Sequence, residues 1–408
     1  MTIISFLTHL VEFFLLVGYN NPMRKIGIYG GTFDPPHLGH NEMLLQAQSQ
    51  LELDFTVVLP CGEPVHKKTS TDKAKRLDMC RLAFSGEKNV VVSDFEIFNT
   101  EKNYTLTTLR HFAEIYADSH LYYIIGSDSL EDFPKWYHPE QISELATIVV
   151  APRANTKFSK AKEYAEKTYG ADVVVLKEEP LNISSSELRC LFQFGLDTSQ
   201  YIDKDVAEYI KKNKLYSEHA EICSKVRSFL DKGRYLHTFY TTMEGLKLAK
   251  LLNVDKEKVF FACLLHDVAK NTPQSDWSKY SFENTENLPP PVVHSFLGAL
   301  VAKQVFGIND EEILNAIKYH TTGRPDMTRL EQIVYVADMI EITRGANLDE
   351  VRKKVYADFD EGFLLCLKSS YNCAARRFGA ENVYKLTKES IKFYRKLSKE
   401  KNEKRKIG

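Results

Sequence analysis

The stretch Gly30-Gly31-Thr32-Phe33-Asp34-Pro35-Pro36-His37-Leu38-Gly39-His40 combines residues suited to holding a polyphosphate. It follows a short apolar run, Lys25 to Tyr29, and precedes a helical pattern, Asn41 to Gln50. Two glycines let backbone approach a phosphate with no Cβ in the way. Two histidines three apart then meet a helix start, where free N–H groups and the dipole favour an anion. The stretch is neither the G-x-G-x-x-G dinucleotide fingerprint nor a Walker loop with Gly-Lys-Ser/Thr.

A second set of chemical residues lies far downstream. After His219 only His237, His266, His294 and His320 remain, in Arg234-Tyr235-Leu236-His237, Leu264-Leu265-His266-Asp267-Val268-Ala269-Lys270, Val293-His294-Ser295 and Tyr319-His320-Thr321. A further site is Val336-Ala337-Asp338-Met339-Ile340-Glu341. Imidazole and carboxylate suit a transition metal. A lone His-Asp pair is uninformative, but a series with each member at or near a predicted helix end is not.

The elements that must position these groups differ between the two halves. In the first, strand-like runs at Lys25–Tyr29, Phe55–Pro60, Asn89–Ile97, Leu121–Gly126, Thr147–Pro152 and Asp172–Lys177 alternate with helical patterns. Apolar runs without alternation imply strands covered on both faces, hence a doubly wound α/β fold with a parallel sheet. Ligands in such sheets sit beyond the carboxyl ends of the strands. That rule gathers the loop with His66 and Lys67, then Tyr104-Thr105, Asp128, Trp136, and Asn182-Ile183-Ser184-Ser185-Ser186-Glu187-Leu188-Arg189. Asp128 suits a ribose diol or a helix cap, Thr105 can cap a helix, and Trp136 suits core packing. Ser184 and Glu187 have capping-box spacing, while the three hydroxyls with Arg189 make a second anion-ready helix start.

From about Ser217 strand-like runs vanish. Helical periodicity appears at 224–232, 238–252, 258–269, 292–306, 310–319, 329–342, 349–378 and 384–397. The expected division is an N-terminal extension (1–23), an α/β domain (24–216), an all-α domain (217–400) and a charged, frayed tail (401–408). Residues 3–17 are apolar but interrupted by His9 and Glu12, too short and polar for a membrane span. They read as a dispensable extension ahead of Met23, with an interfacial helix as the alternative. No membrane association is otherwise expected. The 408 residues carry a net charge of −1, which leaves no footprint for sequence-independent nucleic-acid binding. Seven scattered cysteines without a C-x-x-C pair read as reduced thiols in a cytoplasmic protein.

The first half resembles bacterial nicotinate-nucleotide adenylyltransferases over residues 24 to 216. The likeness rests on Gly-Gly-Thr-Phe-Asp-Pro-Pro-His-x-Gly-His, Leu-Pro-x-Gly-x-Pro-x-His-Lys, Tyr-Thr-x-x-Thr-Leu, Gly-x-Asp-x-Leu and Ile-Ser-Ser-Ser-x-Leu-Arg. It implies adenylyl transfer from ATP, with Mg²⁺, to nicotinate mononucleotide. His37 and His40 would hold the phosphates, with Gly30, Gly31, Thr32, Phe33, Ile183, Ser184, Ser185, Ser186 and Arg189 around the nucleotide. Asp128 would take a ribose, Trp136 would stack on the pyridine, and His66, Lys67, Tyr104 and Thr105 would meet the acceptor nucleotide. Val65, Asn103 and Thr107 depart from the pattern on the acceptor-selectivity side, as does Ser186 in the serine run. The preference for nicotinate over nicotinamide is therefore open.

The second half resembles the HD phosphohydrolases, most closely the symmetrical diadenosine tetraphosphatases, over residues 220 to 400. That likeness implies hydrolysis of diadenosine tetraphosphate to two ADP at two transition metals, iron, with manganese as the alternative. His237, His266, Asp267 and Asp338 would bind one ion, and His294, His320 and a bridging Asp267 the other. Lys270 would meet a phosphate or stay solvated, and Arg324 and Arg344 are further phosphate partners. The alternatives are a mononucleotide nucleotidase and a nucleotide-binding regulatory module. Oligomeric state is not legible.

Overall fold

The structure, a computed structural model, describes residues 23–63, 71–99, 103–153 and 158–407. The N-terminal extension and the His66–Lys67 loop, with Val65, lie outside the described residues. The described residues form two compact units, those up to 189 with 197–215, and 190–196 with those from 216 on.

The first unit is a six-stranded parallel sheet of β1 (Arg24–Gly31), β2 (Phe55–Pro60), β3 (Val90–Val92), β4 (Ser119–Gly126), β5 (Ala146–Ala151) and β6 (Val173–Val175). The order is β3-β2-β1-β4-β5-β6, doubly wound as expected. Strands β2 and β5 are buried along their whole length, which is why they read as unbroken apolar runs. The strand order reverses between β1 and β4, so the crevice beyond their carboxyl ends is the ligand position. Two helices border it, α1 (Leu38–Leu51) and α2 (Thr105–Ile115), and α3 (Ser185–Phe194) starts against the loop between β1 and α1.

The strand expected over 89–97 is shorter. It ends at Val92, and Phe95–Phe98 forms a helical turn instead. There the Ser93 hydroxyl accepts from Phe95 N–H, the kind of local bond by which serine leaves a ladder.

The second unit is helical. Its site-bearing helices are α4 (Lys232–Leu252), α5 (Lys256–Leu265), α6 (Pro290–Phe306), α7 (Glu311–Tyr319) and α8 (Arg329–Ile340), followed by α9 (Phe359–Phe378) and α10 (Lys385–Ile407). Helix α4 packs on α5 and α8, and α7 packs on α6 and α8. The periodic stretch 349–378 is two helices, because Asp358 is extended and caps α9 by accepting from Glu361 N–H. Gly362 then lies where a Cβ would run into the Val355 backbone. The Lys/Glu-rich tail continues α10 to Ile407 rather than fraying. Among the described residues no helix is long and apolar enough to cross a membrane.

Candidate active sites

In the first unit His37 is the N-cap of α1, and its backbone N–H donates to His40 Nδ1 at 3.1 Å. That bond leaves Nε2 of a neutral His40 as an N–H donor. The two rings stack with centroids 3.6 Å apart. Gly39 is required between them: a Cβ there would meet the Leu181 carbonyl oxygen at 2.7 Å. Burial, reinforced by the Arg153 cation, pushes His37 down to about 3. Burial, then His37 and Arg153, hold His40 well below its ordinary value. Both imidazoles are therefore neutral donors at the positive end of a helix, in a place that welcomes negative charge.

A cleft of about 390 Å³ opens beyond β1 and β4. It is lined by Gly30, Gly31, Thr32, Phe33 and His40 on one side, and by Tyr104, Thr105, Asp128 and Trp136 on the other. His37 and Ile183 to Ser186 are not among the lining residues, nor is Arg189. Arg189 instead donates to the Asp34 carbonyl at 2.6 Å and to Ser186 Oγ at 3.0 Å. Ser185 Oγ donates to the Pro35 carbonyl at 2.9 Å, and Ser184 accepts from Glu187 N–H. This second helix start is thus tied to the back of the His37 loop. Asp128 does not cap its helix; it faces the Arg153 guanidinium at 3.3 Å. Thr105 does not cap α2 with its side chain either, because Tyr104 occupies the N-cap, and the Thr105 hydroxyl lies 3.4 Å from Tyr123 OH. Trp136 does both things open to it, packing against the sheet core and lining the cleft.

Sequence reasoning missed Arg153 and Arg76. Arg153 follows β5, which only the strand order brings beside β4. Arg76 is fully buried and donates to Thr32 O at 2.8 Å and Gly62 O at 2.7 Å, joining the loops after β1 and β2.

In the second unit His237 lies near the start of α4, and His294 in the first turns of α6. His266 and His320 are the C-caps of α5 and α7, and Asp338 is in the last turn of α8. Three helix C-termini, each carrying partial negative charge, therefore meet at one place. His237 Nε2 is 3.0 Å from Asp338 Oδ1 and 3.4 Å from His266 Nε2. His294 Nε2 is 3.1 Å from Asp267 Oδ1 and 3.2 Å from His320 Nε2. Asp267 spans both groups: its other oxygen is 3.8 Å from His266 Nε2.

The ring orientations say what belongs here. His266 Nδ1 faces the Cys263 carbonyl at 2.6 Å and His320 Nδ1 the Ile317 carbonyl at 2.7 Å, so each carries its proton on Nδ1. His237 Nδ1 faces the Glu341 carboxylate at 3.1 Å. The Nε2 atoms of His237 and His266 thus turn toward one another, 3.4 Å apart. Buried Asp267 Oδ1 faces the Nε2 atoms of His294 and His320 at 3.1 and 3.6 Å, so imidazole and carboxylate ligand atoms converge as they do around a cation. His237-His266-Asp338 and His266-Asp267-His320 each present ligand atoms within 4.8 Å of one another. The donor set fits a pair of divalent ions.

Without metal, burial opposes a charged His237, yet hydrogen bonds to Asp338 and Glu341 raise it to about 9. Burial takes His266 and His294 down to about 4, against the pull of Asp267. Burial opposes ionisation of Asp267 and Asp338 too, but the surrounding imidazoles hold both well below the usual carboxylate range.

A cleft of about 320 Å³ opens over this cluster, rimmed by Arg234, Lys270 and Arg344. Lys270 Nζ is 2.9 Å from His294 Nε2, Arg234 reaches Asp267 at 3.3 Å and Arg344 reaches Asp338 at 2.5 Å. Arg324 does not rim it. It makes a two-pronged pair with buried Glu331, at 2.8 and 3.0 Å, in the loop that leads into α8. Glu341 and Arg234 belong to the stretches around Asp338 and His237, but nothing in the sequence marks their roles, since neither residue type stands out beside a ligand.

The fold and the two sites define the class: a cytidylyltransferase-like domain, whose family model matches residues 28–191, joined to an HD domain matching 234–342. A Mycoplasma genitalium protein named nicotinate-nucleotide adenylyltransferase/Ap4A hydrolase is 30% identical over 86% of this chain and 98% of its own length. Its Mycoplasma pneumoniae counterpart is 28% identical over 78% and 88%. A Clostridium botulinum nicotinate-nucleotide adenylyltransferase is 35% identical over 48% of this chain and all of its own. The chain belongs to the bifunctional nicotinate-nucleotide adenylyltransferase/Ap4A hydrolase family. Its HD domain implies dependence on a divalent metal.

Proposed function

We propose that the first unit joins nicotinate mononucleotide to ATP and that the second cleaves diadenosine tetraphosphate into two ADP. In the first reaction a phosphate oxygen of the mononucleotide attacks the α-phosphorus of ATP and pyrophosphate leaves; Mg²⁺, when bound, would supply neutralising charge for it. The attacking group is already an anion, so no side-chain nucleophile is needed. Catalysis is positioning and charge neutralisation. His40 donates through Nε2 to the phosphates, and His37 holds His40 in that tautomer. Gly30 to Phe33 give backbone room, Arg189 with Ser185 and Ser186 steadies the loop, and Asp128 accepts from a ribose. Tyr104, Thr105 and Trp136 receive the pyridine, with His66 and Lys67 as its remaining partners.

In the second unit His237, His266, Asp267 and Asp338 would hold one metal ion, and Asp267, His294 and His320 the other. Iron is the metal proposed, with manganese as the alternative. When bound, such a pair supplies Lewis acidity and activates water for in-line attack on phosphorus. The chain's own part is to fix the imidazole tautomers through the Cys263 and Ile317 carbonyls and the Glu341 carboxylate. Lys270, Arg234 and Arg344 face the phosphate charge at the rim. Unpaired cysteines fit a reducing compartment, the cytoplasm.

What carries the reading is the convergence of four imidazoles and two carboxylates at one spot. The test is to assay the full-length protein for pyrophosphate release from ATP with either pyridine mononucleotide, and for ADP from diadenosine tetraphosphate. No pyrophosphate with either acceptor overturns the first assignment. Absence of ADP, or AMP and ATP in its place, overturns the second.

A further inference from the structure

The last two helices, α9 and α10, pack together and leave a groove of about 770 Å³ between them. Six cations line it: Lys368, Lys388, Lys392, Arg395, Lys396 and Lys399. No carboxylate does. Lys388, Lys392, Arg395 and Lys399 recur at spacings of three and four, so they share one face of α10 over about 16 Å of helix. Of the six, only Lys396 has an ion pair among the described residues, to Glu400 at 3.9 Å, while Lys388 donates to the Glu381 carbonyl at 2.6 Å. Elsewhere in this unit lysines and arginines are commonly paired: Lys258 with Asp310, Arg329 with Asp360, Arg352 with Asp349. Uncompensated like charges held along one groove repel one another and cost stability. In a chain of net charge −1 they are a local asymmetry that the total conceals. The floor is different in kind. Leu364 and Ile391 are buried, and the half-buried Tyr371 ring lies among the cations.

We infer that this groove binds single-stranded nucleic acid, with the α10 cations on its phosphates and Tyr371 against a base. Charge complementarity calls for a polyanion. A strand fits because packed helices lie about 8–10 Å apart, which leaves a furrow too narrow for a duplex. A flat anionic membrane would meet the ridge and not the floor. A cationic groove with an aromatic platform is the general form of sequence-tolerant single-strand binding.

The experiment is fluorescence anisotropy of full-length protein with a labelled oligouridylate of about 15 nucleotides. A duplex of equal length and phosphatidylserine vesicles serve as the other arms. The wild type binds the single strand more tightly than the duplex. Charge reversal at three positions, K388E/K392E/K399E, weakens binding at least about tenfold and lowers the salt slope by about 2. Tyr371→Ala weakens it about tenfold with the salt slope unchanged. Far-UV circular dichroism and the thermal midpoint confirm that each variant is folded. Undetectable binding by the wild type at low salt overturns the proposal, as does equal binding by the triple variant. Preference for the duplex, or for vesicles over the oligonucleotide, also overturns it.

Discussion

The two sites use histidine in opposite ways, and helix polarity is part of the reason. In the first unit the imidazoles sit at the start of α1, stacked and pushed toward neutrality by burial and Arg153. They are donors at a positive helix end, so they suit an anion. In the second unit His266, His320 and Asp338 close the C-terminal ends of α5, α7 and α8, with Nε2 atoms turned inward. They are acceptors at negative helix ends, so they suit a cation. His237 and His294 come from the first turns of α4 and α6, so in the second unit it is the three converging C-termini and the carboxylates, not every helix end, that turn the site toward a cation.

Substitutions that hit one site and spare the other test this contrast. The largest effect is expected from Asp267→Ala, which removes the carboxylate shared by both metal groups. Diadenosine tetraphosphate hydrolysis should fall by about a thousandfold or more, with metal lost and adenylyl transfer unchanged. His40→Ala should do the reverse, lowering adenylyl transfer by about a hundredfold with hydrolysis intact. If either variant silences both activities, the contrast fails. A finer probe is Glu341→Gln, which takes the charge from the carboxylate that orients His237. Metal affinity, read by chelator competition, should weaken about 10- to 100-fold.

The smallest effect is on stability against pH. His37 binds its proton at about 3 in the folded chain and at about 6.5 when unfolded. The unfolded state therefore holds more protons between those values. Stability should be full above about 6.5 and decline on acidification toward 3, by at most about 1.4 kcal/mol per pH unit. Urea unfolding of the wild type and His37→Gln should diverge across that window. Parallel curves would show that His37 is not buried neutral.

Most of this architecture was legible in the sequence, because its signals are local. Apolar runs such as Thr147–Val150 announce a covered parallel strand, and His-x-Gly-His before a helix announces an anion site. The rear ligands were legible from their placement at helix ends. What was not legible depends on tertiary neighbours. Arg153 reaches Asp128 only because β4 and β5 pair, and Arg76 matters only because its guanidinium meets the backbone of two loops distant in sequence. Arg324 looked as available as Arg344 until Glu331 was seen to hold it. The α10 groove was hidden for another reason: Lys and Glu mix along the sequence, and only the helical face sorts them.

The central claim, that the converging imidazoles and carboxylates mark a metal pair, is tested most directly by metal analysis of the full-length protein before and after chelation, with hydrolysis assayed on the same samples. The account predicts close to two divalent ions per chain, loss of diadenosine tetraphosphate cleavage on their removal and its return on re-addition. A protein that holds no metal and still cleaves the substrate in the presence of chelator would contradict it.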